Sequence, residues 1–234
     1  MLRTIFFVIV LMHGLIHLLG FIKAFELAEI PQLGMAISKP RGLIWLLCVL
    51  LFIAAMFLFL FKKDWWWMLA LPAVLLSQIL VFAYWQDAKF GSIPNIIVLI
   101  TCLIAYGQWQ FQRESMEKRK QLLPASQAQS DNISEAGLPS LPKPVSRWLR
   151  TCGAVNKTAI HTVYLRQGGE MRTSPDGKWM PVVAEQWFTL TQPGFLWTAD
   201  VGSGLMQFAG RDFFYRGQGS MLIKVQSLLP VVDA

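Results

Sequence analysis

The chain predicts an α-helical membrane bundle of four transmembrane helices, followed by a small α+β domain with a curved antiparallel sheet and one short helix. Three observations lead there. Residues 1–111 hold four apolar stretches without a charged residue, at 4–22, 43–61, 65–85 and 93–111. At about 1.5 Å of rise per residue, each can cross a hydrocarbon core of roughly 30 Å. Aromatic residues stand at the ends of these stretches: Trp65, Trp66 and Trp67, then Tyr84 and Trp85, then Trp109. Amphipathic rings prefer the headgroup level, so they mark span limits independently of hydropathy. Beyond residue 153 the apolar period changes to two, with Gly- and Pro-containing turn signals between the runs.

The first stretch follows Arg3 like a secretion signal, but it is too long for a typical signal core. Lys23, Phe25 and Glu26 occupy the place of a cleavage site, so it is expected to remain as an anchor. Between the second and third stretches, Lys62-Lys63-Asp64 is a short turn that makes the two antiparallel neighbours. Pro72 falls inside the third and is expected to kink it. After the fourth, 112–144 reads as a linker: a charged helical extension from Arg113 to Gln121, then a flexible tether rich in Ser, Gln, Ala and Pro.

The soluble domain is expected over 145–234. Val145, Trp148, Leu149 and Cys152 fall at i, i+3, i+4 and i+7, a short amphipathic helix with Gly153 as its stop. Ala159, His161, Val163 and Leu165 then alternate, as do Phe195, Trp197, Ala199 and Val201. Turn signals stand at Gly168-Gly169, Ser174-Pro175-Asp176-Gly177, Gln192-Pro193-Gly194, Gly202-Ser203-Gly204 and Gly217-Gln218-Gly219. About six strands in meander order follow, with the short helix packed on the sheet. The run 221–226 would be the last strong strand and an open edge.

Net charge excludes one class of partner. The chain carries +7, but no basic run is interleaved with aromatics as nucleic-acid binding would need. The charge reads instead as membrane topology. Arg3, Lys62, Lys63, Arg113, Lys118, Arg119 and Lys120 lie on one side of four spans, against Lys23, Lys39, Arg41 and Lys89 on the other, which favours both ends in the cytoplasm. The three cysteines, Cys48, Cys102 and Cys152, have no paired spacing, which argues against a disulfide framework or a zinc site.

The run His13-Gly14-Leu15-Ile16-His17-Leu18-Leu19-Gly20-Phe21, with Trp85-Gln86-Asp87-Ala88-Lys89-Phe90-Gly91, resembles an uncharacterised bacterial family of four-helix membrane proteins. The runs Leu141-Pro142-Lys143-Pro144-Val145-Ser146-Arg147-Trp148-Leu149, Gln186-Trp187-Phe188 and Gly217-Gln218-Gly219-Ser220-Met221 are similar to the domain of unknown function that follows those helices. The resemblance implies an inner-membrane protein, and a domain that continues further in its relatives, so that this chain would be a shortened member. It implies no chemistry.

Chemistry has two candidate seats. His13 and His17 share one face of the first helix. Counting rise along each span puts His17 and Gln78 at about the same depth, roughly 20 Å in, with Asn95, Asp87 and Lys89 toward the same end. Polar groups at such depth suggest a proton, metal or quinone site, or a clasp holding the helices in register, with Gly14 and Gly20 allowing close approach. His13 and His17 are the candidate metal ligands; they would not serve a haem from both sides, because they lie on one helix face. In the soluble domain, Trp187 and Trp197 belong to an aromatic set that could line an apolar ligand site on the concave side of the sheet. Cys152 and His161 are not a catalytic pair on this reading, since Cys152 belongs to the apolar stripe of its helix. No catalytic residue and no cofactor is named by the sequence. The leading expectation is non-enzymatic binding of a lipid-like ligand or a partner protein by the tethered domain. The alternative is a redox, proton- or metal-handling protein using His13 and His17. A third possibility is a structural subunit docking through its open sheet edge.

Overall fold

The computed structural model describes residues 2–123, 132–190, 192–204 and 206–234. The chain divides into two compact units, Met1–Gln110 and Phe111–Ala234.

The first unit is helical: α1 (Leu2–Ala24), α2 (Lys39–Leu60), α3 (Trp67–Ala83), the single turn α4 (Trp85–Ala88), a 3-10 turn at Lys89–Gly91, and the start of α5 (Ser92–Leu122). Three helical stretches are long and apolar enough to cross a membrane: α1, α2, and the run Trp85–Leu122 that ends in α5. α3 is apolar but has 17 residues, shorter than the expected 65–85. Trp65 and Trp66 belong to the turn before it, and Tyr84, at φ −121° and ψ 40°, breaks it at the far end. Lys62 takes the left-handed conformation at φ 54°, which turns the chain between α2 and α3.

α1, α2 and α3 are greasy all round, so burial rather than hydropathy separates their faces. On α1, Val10, His13, Gly14, His17, Gly20 and Ala24 turn inward, while Ile5, Val8, Met12, Leu15 and Ile16 are exposed. An outward face this apolar suits hydrocarbon better than water. Inside, Val10, Phe52, Ala55, Ala73, Val74, Val98 and Cys102 form one core from α1, α2, α3 and α5. α1 and α2 touch closely through small residues. A Cβ on Gly20 would lie 2.2 Å from the Trp45 ring, and one on Gly42 2.3 Å from Ala24 Cβ.

The second unit is built on six antiparallel strands in sequential order: β1 (Thr162–Met171), β2 (Met180–Thr189), β3 (Gly194–Ser203), β4 (Met206–Tyr215), β5 (Gln218–Val225) and β6 (Leu229–Asp233). The meander of about six strands is therefore found. Gly168 and Gly169 are not a turn. They pair with Val183 and Val182 inside β1, and the chain reverses at Ser174–Gly177 instead. An edge strand tolerates such glycines because a Cβ at either position would meet nothing within 4 Å. Arg216 and Gly217, at φ 53° and 77°, form the two-residue loop of the β4–β5 hairpin, where positive φ at both centres matches strand twist. The run 221–226 is not the edge, since β6 pairs with β5 and is itself exposed throughout.

The helix packed on the sheet is not the one expected. α6 (Lys143–Thr151) buries only Ser146, whose hydroxyl donates to the Leu138 carbonyl at 2.8 Å; Val145, Trp148 and Cys152 are exposed. The sheet is covered by the end of α5, part of the segment read as a linker. Phe111 packs with Ala209 and Leu222, and Leu122 with Leu196 and Phe213. Arg211 reaches from β4 to Glu114 at 3.3 Å and to the Ser115 hydroxyl at 3.4 Å. Lys118 and Arg119 lie over the rings of Phe213 and Trp187, at 4.7 and 5.3 Å. The charged extension thus carries buried apolar residues at 111 and 122, while the apolar stripe of α6 stays exposed at Val145, Trp148 and Cys152. The tether expected up to residue 144 lies partly outside the described residues, at 124–131; beyond them a 3-10 turn (Glu135–Ser140) precedes α6.

Candidate functional site

The helical unit gathers its buried polar side chains into one seam. His13 and His17 come from α1, Ser77 and Gln78 from α3, Ser92 and Asn95 from α5. His13, His17, Ser77 and Asn95 are at most 5% exposed. His17 Nδ1 donates to the His13 carbonyl at 2.8 Å, which fixes its ring. His17 Nε2 then meets Ser77 Oγ at 2.8 Å. His13 Nε2 meets Asn95 Oδ1 at 2.8 Å and Ser77 Oγ at 3.2 Å. Ser77 Oγ also lies 3.0 Å from Asn95 Oδ1. On the far side, Asn95 Nδ2 donates to Gln78 Oε1 at 3.0 Å, and Gln78 Nε2 to Ser92 Oγ at 3.1 Å. Rings wall the seam: Phe52 stands 5.4 Å from His13 and Trp45 5.3 Å from His17, centroid to centroid.

Of the residues expected here, His13, His17, Gln78 and Asn95 meet. Asp87 does not join them: its carboxylate accepts the backbone N–H of Met35 at 2.9 Å. Lys89 lies 5.4 Å from the Phe90 ring. Ser77 was missed, although it makes the direct contact with both histidines. Its signal was the adjacent pair Ser77-Gln78 in an otherwise apolar run. Among the described residues, no group of three His, Cys, Asp or Glu is arranged to hold a metal ion. A cation at His13 and His17 would also have to displace Ser77 and Asn95 from their Nε2 atoms.

The sheet offers the second candidate. Cross-strand partners share a face, and the register splits the two expected tryptophans. Trp187 pairs with Leu196, and Trp197 with Gln186, so they point to opposite sides. Trp187 is on the face covered by α5, beside Tyr164 at 5.2 Å. There the Tyr164 hydroxyl donates to Glu185 at 2.9 Å, and that bond holds the phenol above its ordinary pKa. Trp197 is on the other face, its indole N–H donating to Gln167 at 3.1 Å.

That other face is apolar and, among the described residues, carries no packed helix. Phe188, Phe195 and Phe214 are cross-strand partners in a row over β2, β3 and β4, with centroids 6.3 and 6.2 Å apart. Beside the row, Trp197, Phe208, Met180 and Val182 pack around buried Ala184, Ala199 and Val201. The side chains there are half-buried, not sealed: Phe214 is 36% exposed and Met221 42%. Cys152, just after α6, is exposed and its thiol faces the Leu149 carbonyl at 3.5 Å.

With this geometry in place, the comparisons give one result. A family of unknown function (DUF6544) matches residues 131–234, which hold α6 and all six strands but not the end of α5 that covers the sheet. No curated protein and no solved structure matches the chain.

Proposed function

We propose that this is a multi-pass membrane protein whose β domain binds a lipid-like, apolar ligand without catalysis, on the face of the sheet opposite α5. The observation that carries the reading is the unequal treatment of two apolar faces. One is closed by Phe111 and Leu122; the other presents the Phe188–Phe195–Phe214 row and Trp197 half-open. Apolar area is worth about 25 cal/mol per Å² when removed from water, so a row of phenyl rings is a strong seat for an acyl chain. A ring surface that adapts to many chain shapes needs few polar groups, and Gln186 and Asp212 are the polar residues nearest its centre by register.

The four-span arrangement belongs to the same proposal. α1, α2 and α5 have the length and composition of spans, and α3 gains the missing reach from the flanking tryptophans at 65 and 66 and from Tyr84 and Trp85. Both ends then face the cytoplasm by the balance of basic residues, and a reporter fused at Ala234 tests this: a periplasmic signal ends that assignment.

Photolabelling tests the ligand. The full chain in lipid nanodiscs is incubated with a diazirine-bearing palmitate, irradiated and mapped by mass spectrometry. Adducts are expected on Phe188, Phe195, Phe214 or Trp197, and are expected to vanish in Phe195→Ser/Phe214→Ser. Adducts confined to residues 2–110, or unchanged by the double replacement, overturn the proposal.

A further inference from the structure

We infer that one end of the sheet is a membrane-docking surface, whose three turns rest their tips in the headgroup layer of the bilayer that α5 crosses. The inference rests on the reading of α5 as a span, not on the ligand proposed for the open face. In a six-stranded meander the turns alternate between two ends. The β1–β2, β3–β4 and β5–β6 turns therefore stand together, and the β2–β3 and β4–β5 turns stand opposite. Each turn of the first end presents a large apolar side chain to solvent: Trp179 is 57% exposed, Met206 62% and Leu229 68%. Met171, at the end of β1, is exposed beside them. One exposed apolar residue is ordinary on any surface. Three tips at one end, each more than half in water, form a patterned surface. In the turns of the opposite end, Leu190 is the large apolar side chain exposed among the described residues, and Gln192 there accepts from Tyr215 and Arg216 at 3.0 and 3.3 Å.

α5 decides which end meets a bilayer. Its contacts advance along β4 in chain order. Phe111 packs on Ala209, Glu114 and Ser115 meet Arg211, Lys118 lies over Phe213, and Leu122 packs on Phe213 and Leu196. The helix therefore runs over the sheet in the direction of β4, from the side of Met206 toward Tyr215. Phe111 is also the last residue of the apolar run 93–111. Three strand residues separate Ala209 from Met206, about 10 Å, so that tip lies beyond the Phe111 contact on the side from which the helix arrives. With α5 leaving the bilayer at Phe111, the end with three apolar tips is the one that faces the lipid.

The side chains suit a headgroup layer. The Arg172 guanidinium lies 4.8 Å from the Trp179 ring centre, and Lys178 is exposed next to that tryptophan. An indole prefers headgroup depth, and basic side chains beside it meet lipid phosphates. Asp176 is the one acid between Arg172 and Trp179, so this turn is net positive and complements an anionic lipid surface. Met206 and Leu229 add apolar area with no polar atom to desolvate. Three separate tips form no groove for a peptide or helix, whereas a flat lipid surface accepts all of them at once.

Lipid-borne quenchers test the docking. Cys48 and Cys102 are buried, so Cys152→Ser leaves one reactive thiol in each single-cysteine variant. A thiol-reactive fluorophore is attached in Met206→Cys, Leu229→Cys and Arg216→Cys, each in the full chain. The nanodiscs contain phosphatidylcholine and phosphatidylglycerol, with a nitroxide on the headgroup of some lipids. Quenching is expected at 206 and 229 and not at 216, which lies in a turn of the opposite end. In Arg172→Gln/Lys178→Gln the ratio of docked to undocked domain is expected to fall about fivefold for each charge removed. Ile100→Cys, at an exposed position on α5, reads the span itself through a nitroxide on the acyl chain. Quenching at Ile100 with unquenched tips overturns this inference alone and leaves the tips to a protein partner. An unquenched Ile100 overturns the membrane reading and this inference with it. Equal quenching at 206 and 216 also overturns it, since the domain would then present no preferred end to the lipid.

Discussion

The helical unit and the sheet bury their polar groups in opposite ways. In the helices, six polar side chains from three elements sit in one seam at 2.8 to 3.2 Å from their partners, surrounded by aliphatic and aromatic walls. In the sheet, the buried charge on the covered face is Arg211, tied to Glu114 and Ser115 on α5, and the opposite face is nearly all apolar. Hydrogen bonds are directional, so the seam discriminates by geometry, down to where a proton sits. Apolar contact is not, so the open sheet face selects by shape and area. One region is a fixed, directional network; the other is an apolar surface without such a network.

The sharpest way to break this comparison is to strike the covered face of the sheet. Leu196 is 1% exposed, between Leu122 and Phe213. Leu196→Ala is expected to destabilise the second unit by about 3 kcal/mol, from lost burial plus the cavity left behind. Amide hydrogen exchange of the full chain would show it as lost protection across β3 and β4. A loss below about 1 kcal/mol would mean that α5 does not close this face.

A second test asks whether the helices are as tightly fitted as the seam requires. Gly20→Ala puts a methyl 2.2 Å from Trp45, the residue that walls His17. Over-packing of this kind costs about 2 kcal/mol, read as earlier unfolding in a detergent titration. Gly168→Ala is the matched control. A Cβ there meets nothing within 4 Å, and the strand position is expected to tolerate it within about 0.5 kcal/mol. Equal effects at the two glycines would erase the contrast between a fitted bundle and a permissive sheet edge.

Depth counting along apolar runs was enough to bring His13, His17, Gln78 and Asn95 together, because helical rise is fixed and the polar residues in such runs are few. It could not tell Ser77 from Gln78 as the histidines' partner. Neighbouring residues on a helix differ by about 100° in direction but only about 1.5 Å in height. The strands were legible from period-two alternation, yet Trp187 and Trp197 were grouped in one site. Their separation depends on the pairing of Trp187 with Leu196, a register that one sequence does not carry. The α5 cover was hidden for a different reason. Phe111 and Leu122 are eleven residues apart with Glu114, Lys118 and Arg119 between them, so the segment reads as a solvated charged helix. The charges are instead used on the sheet, over Phe213 and Trp187 and against Arg211.

A smaller effect on stability than those at Leu196 and Gly20 is the more telling for function. Phe214 is 36% exposed on the open face, stacked on Phe195 at 6.2 Å. Had this face been built only as a core, Phe214→Ser would remove a packed ring and weaken the sheet by several kcal/mol. With about a third of its surface already in water, the loss is expected to stay near 1.5 kcal/mol. The same replacement shortens the aromatic row by a third and is expected to reduce palmitate photolabelling of the sheet severalfold. Thermal unfolding and labelling of one variant therefore separate the two roles. A large fall in stability with unchanged labelling would make the row a structural layer.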